Sequence, residues 1–118
     1  MRAEIKNLFS LNIDDLERFA PSDPEVFHIP IRLIAGPQAG EGEESFDFEV
    51  CSPGWLATEV AEGKVVLLRH RLLMKSFNFG AVRNFVERYV HGCEGATWKE
   101  VATKLAKLGL WEFEDYQE

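Results

Sequence analysis

Three histidines and two cysteines are the residues of this chain best suited to chemistry: His28, His70, His91, Cys51 and Cys93. An imidazole can act as acid or base near neutral pH. A thiol can attack an electrophile when a base stands beside it. His91-Gly92-Cys93 brings such a pair close in sequence. The helical period over residues 80–92, however, puts His91 at a helix C-terminus. There the dipole favours a cation and disfavours a thiolate. His91 is therefore expected to meet the last carbonyls of that helix, and no catalytic residue is assigned. His28 and His70 fall inside stretches that alternate like strands.

Metal and phosphate chemistry find no frame. There is no HExxH, no CxxC and no EF-hand loop. In the acidic run 41–49, Asp47 and Glu49 alternate with phenylalanines. Their carboxylates would project from one strand face rather than converge on an ion. Gly36 and Gly40 flank a turn with no helix behind it and no P-loop lysine. Ser52, followed by Pro53, reads as a helix cap rather than a nucleophile. No metal and no cofactor are expected.

Charge is the stronger signal. The formal net charge is −7, and it is unevenly spread. Residues 12–25 carry Asp14, Asp15, Glu17, Asp23 and Glu25 against Arg18 alone. Residues 41–49 carry Glu41, Glu43, Glu44, Asp47 and Glu49 with no base. The last eight residues carry Glu112, Glu114, Asp115 and Glu118, again with no base. Residues 64–107 reverse the balance, with nine Lys or Arg against Glu87, Glu94 and Glu100. Acidic blocks can be solvated faces that keep a protein in solution. They can also form a surface that steers a basic partner. They disfavour nucleic acid, whose phosphates they repel.

The elements that must position these residues can be read from periodicity. Residues 2–9 alternate weakly and read as a strand, and Ile13, Leu16 and Phe19 suit a short helical turn. Phe27, Ile29, Ile31 and Leu33 form one face of a second strand. Pro30 assigns that strand to an edge or a bulge. Phe46, Phe48 and Val50 mark a third strand. Ser52-Pro53 starts a short helix closed by Gly63. Residues 64–75 read as one long strand. Residues 80–92 carry a helical stripe of Val82, Phe85, Val86, Tyr89 and Val90. Thr97 and Glu100 form a capping box for a last helix ended by Gly109. Trp111 and Phe113 suggest a final short strand or a docked tail. Trp55 and Trp98 begin helical stripes and are expected to pack in the core.

At 118 residues, with 46% hydrophobic and 28% charged content, the chain fits a single domain spanning 1–118. Strands come mostly before helices. The expected class is α+β: an antiparallel sheet with two to three helices packed on one face. No stretch approaches the roughly 20 apolar residues of a membrane helix. The charged start, Met1 to Lys6, does not resemble a signal peptide. A cytoplasmic location with two reduced cysteines is expected.

Several stretches resemble the immunity protein 8 family. They are Phe46-Asp47-Phe48-Glu49-Val50-Cys51-Ser52-Pro53-Gly54-Trp55-Leu56, then Glu87-Arg88-Tyr89-Val90 with Thr97-Trp98, and the closing Gly109-Leu110-Trp111-Glu112-Phe113-Glu114. They occur in the same order over nearly the whole chain. The resemblance implies a function without catalysis. Such proteins are antidotes in bacterial polymorphic-toxin and contact-dependent inhibition systems. They bind the toxic C-terminal domain of an exported effector, which is often a nuclease with a basic cleft. Charge and resemblance together nominate Glu41, Glu43, Glu44, Asp47 and Glu49 as toxin-binding residues, with Asp14, Asp15, Glu112 and Glu114 next. A one-to-one protein complex is expected, with no nucleic acid and no membrane as partner. The competing expectation is a small RNA-binding module built on the basic 64–107 region, using Arg69, Arg71 and the last helix.

Overall fold

The computed structural model describes residues 1–114. Three strands form the body of the sheet: β1 (Ala3–Phe9), β2 (His28–Pro37) and β3 (Glu44–Cys51). They pair antiparallel in chain order. Alternation explains the two faces. Ile29, Ile31, Leu33 and Ala35 of β2 and Phe46, Phe48 and Val50 of β3 are all 3% exposed or less. The side chains between them point the other way and stay partly exposed. β1 carries an irregularity between Ile5 and Asn7 that shifts its register. Its pairing stops at Phe9 opposite Arg32, short of Pro30. Pro30 is thus in the second strand of the sheet, but beyond the end of its neighbour. The missing N–H costs nothing there.

The apolar face is covered by α2 (Phe79–His91) and α3 (Trp98–Leu105). Phe79, Val82, Val86 and Val90 of α2 and Val101, Ala102 and Leu105 of α3 join the strand residues in one core. The Asn78 side chain caps α2 by accepting from Ala81 N–H. Thr97 caps α3 by accepting from Glu100 N–H, and Glu100 in turn accepts from Ala96 N–H. The class is α+β, as expected, with two of the three helices on one face.

The remaining helix, α1 (Pro53–Ala61), has no fully buried residue. Ser52 caps it and is itself fully buried, because its hydroxyl accepts from both Trp55 N–H and Phe27 N–H at 3.1 Å. Trp55 does not join the core. It stacks on His28 from the outward face of β2, at 4.1 Å between ring centroids.

The long strand expected over residues 64–75 does not form. Only β4 (Arg71–Leu73) pairs, and it runs parallel to β3 along Glu49–Cys51. The other half of the same β3 edge is taken by β5 (Leu110–Trp111), antiparallel at Phe46–Asp47. Two segments compete for one edge, and β5 excludes the upstream part of the long run. Gly109 permits this. A Cβ there would come within about 3.1 Å of Asp47 backbone N and O. At the seam, His70 takes a left-handed conformation with φ 60°. Its carbonyl accepts from Glu49 N–H, and its Nε2 lies 2.8 Å from Ala106 O.

Candidate binding surface

The nominated acids divide into those the fold uses and those it leaves outside. Glu44 begins β3 and accepts from two indoles, Trp98 Nε1 at 2.9 Å and Trp111 Nε1 at 2.6 Å. Asp47 forms a two-point pair with Arg32, its cross-strand neighbour, at 2.8 and 2.9 Å. That bond raises the Arg32 guanidinium further above its ordinary range. Glu49 lies 2.8 Å from both His28 Nε2 and Arg71 Nε. Neither nitrogen meets hydrogen-bond geometry with it, so these are close approaches rather than directed hydrogen bonds. Arg71 also lies over the Trp55 ring, 5.9 Å from its centroid. Glu112 accepts from Ser45 N–H, and Glu114 pairs with Arg69.

Asp15 accepts from Glu17 N–H at 3.0 Å and lies 3.6 Å from the exposed Arg18. Among the described residues, Asp14, Glu41 and Glu43 make no ion pair and are exposed. Glu41 and Glu43 sit at the tip of the β2–β3 hairpin. The tail lies against this region, since Glu112 holds Ser45. Asp14 and Asp15 leave β1 at its Phe9 end, well away from the hairpin tip. The structure therefore joins the 41–45 and 112–114 acids and separates the 14–15 pair from them. Asp115 and Glu118, part of the same acidic tail in sequence, lie outside the described residues.

The residues considered for chemistry are placed as follows. The register sets Cys51 directly across from His28, a pairing that the sequence did not suggest. Cys51 is 1% exposed, and burial pushes its thiol pKa up. An activated nucleophile needs the opposite shift. Cys93 is also buried with a raised pKa, and its thiol donates to Tyr89 O. His91 is exposed in the last turn of α2. Among the described residues, no three His, Cys, Asp or Glu side chains are grouped so as to hold a metal ion.

The cations of the basic region are also engaged. Arg69 and Arg71 pair with Glu114 and Glu49, and Lys104 donates to Glu94 O. Lys64 is held by Glu62 and Glu59, which raise its pKa. Lys99 and Lys107 remain exposed on and after α3.

One surface feature was not foreseen. Because the long strand does not form, Val65, Leu67 and Leu68 are 100%, 72% and 60% exposed. The sequence signal was present, since a β-rich apolar run and a second run at 110–111 both claimed one sheet edge. Periodicity within each run could not rank them.

These features define a small α+β protein whose polar clusters chiefly hold the fold. Its sequence matches the model of the family described as immunity protein 8 over residues 3–116. The chain belongs to that family. No curated protein and no solved structure matches it. Among the described residues, no helix is long and apolar enough to cross a membrane.

Proposed function

We propose that this protein is the antidote to a cognate bacterial toxin domain, which it binds one to one in the cytoplasm and neutralises without chemistry. The family is one of immunity proteins, and that carries the reading. The toxin is expected to be a nuclease with a basic cleft, as part of a contact-dependent inhibition or polymorphic-toxin system. The charge distribution supports this. Carboxylates free of internal partners, above all Glu41 and Glu43 at the hairpin tip, are available to meet a cationic surface. Asp14 and Asp15 offer a second, separate point. Glu44, Asp47, Glu49, Glu112 and Glu114 already have partners, so their part in recognition is chiefly to shape and hold the surface.

The RNA-binding alternative is weaker. Of its proposed contacts, Arg69 and Arg71 are both neutralised by carboxylates of this chain, which leaves only the lysines on and after α3. A filter-binding titration against salt separates the two readings, because RNA binding through phosphates weakens steeply as salt rises. No measurable RNA affinity is expected. The direct test is protection. Cells expressing the toxin domain encoded beside this chain's gene should survive when the chain is co-expressed. Death at wild-type rates, with the chain present and folded, would end the proposal.

A further inference from the structure

Val65-Val66-Leu67-Leu68 is an apolar run with no place in the sheet. Its residues are β-branched or aliphatic, as strands require. Only Val66 is partly buried. Among the described residues, none of the four backbone N–H groups has a hydrogen-bond partner, and only the Leu68 carbonyl is used, by Arg71 N–H. The cause is the competition for β3 described above. An exposed apolar strand edge of this kind invites pairing with another chain, and proteins usually blunt it with charge or proline. Here neither interrupts the run.

A cation flanks the run at each end, and each is ion-paired. Lys64 is held by Glu59 and Glu62, and Arg69 by Glu114. Glu112 and Glu114 continue from it to Ser45 and the hairpin tip. The carboxylates at its two ends, Glu59, Glu62 and Glu114, outnumber the two cations they hold, Lys64 and Arg69.

We infer that Val65–Leu68 is a docking strand for the toxin domain, forming the apolar centre of an interface whose rim is acidic. The occupant is an extended segment of a cationic protein. It would pair with the open backbone and cover the aliphatic side chains, while its bases meet the surrounding carboxylates. A second copy of this chain fits poorly, because it would set acids against acids on molecules that each carry a net charge of −7. This inference rests on the antidote reading and adds a surface to it.

The test is kinetic. Binding of the inactivated toxin domain encoded beside this chain's gene is measured for the wild type, for the double variant Val65→Asp with Leu67→Asp, and for Glu43→Lys. The double variant should lose affinity by about 30-fold or more, the range of a central contact, mainly through faster dissociation. Glu43→Lys should instead slow association. In the wild-type protein, hydrogen exchange at the amides of Val65–Leu68 should slow in the complex, a readout independent of whether the variant folds. If the wild type does not bind the toxin domain, the antidote reading itself fails. If it binds, but the double variant dissociates at the wild-type rate or the four amides gain no protection, the docking strand is wrong and the antidote reading stands. If sedimentation shows a wild-type dimer that the double variant splits, the occupant is a second copy, and the inference is overturned.

Discussion

Glu44 shows how a residue that looks like surface charge can belong to the fold. Its carboxylate receives two indole N–H groups, from Trp98 and Trp111. Glu44→Ala leaves both partly buried donors without their acceptor and should cost about 2 kcal/mol in urea unfolding. Glu43→Ala, one residue away and exposed, should change stability by less than about 0.5 kcal/mol. Equal effects would mean that the indoles are not held as described. The cysteines make a second residue-scale case. Both are buried, with thiols pushed above their ordinary value near 9. The folded state then keeps protons that the unfolded chain gives up. Stability from this source is complete below the unfolded value and falls as pH rises through the raised folded values. A thiol reagent should find neither cysteine in the native protein at pH 8 and both after unfolding. Rapid native labelling would contradict their placement. The sequence revealed the acids themselves, but not which were free. Asp47 meets Arg32 and Glu49 meets Arg71 only through strand register, which a linear reading does not supply.

At the scale of elements, local signals were sufficient where they stood alone. The Ser52-Pro53 start, the Thr97 and Glu100 cap, and the alternation of β2 and β3 all appear as read. The failure came where two segments wanted one position. Residues 64–75 and 110–111 both suit the open edge of β3, and the second wins half of it. Gly109 decides the outcome by allowing a close approach to Asp47. Gly109→Ala should press β5 away from β3 and destabilise the protein by about 1–3 kcal/mol. Urea unfolding measures this, and a wild-type midpoint would show that β5 is not held at this point. Trp55 was misplaced for a related reason. A tryptophan at the start of a helical stripe resembles a core residue, yet α1 buries no face, and its ring stacks on His28 instead.

At the scale of the whole molecule, the net charge of −7 and its clustering are matters of composition and were legible at once. Their use was not, because among the described residues most acids of the blocks have a partner within the chain and few, such as Asp14, Glu41 and Glu43, remain to steer. The joint variant Glu41→Lys and Glu43→Lys should therefore slow toxin association by about tenfold at low salt. The difference should shrink near 1 M salt, where the screening length is about 3 Å. Identical rates at low salt would move the steering surface away from the hairpin tip. The central claim is neutralisation by occupancy. It is tested most directly by titrating the purified protein into a fixed concentration of active toxin domain and following the toxin's activity. The account predicts a linear fall to zero at one equivalent, with full toxin activity recovered when the complex is separated. Inactivation by far less than one equivalent, or a toxin that stays inactive after separation, would show chemistry rather than binding and contradict it.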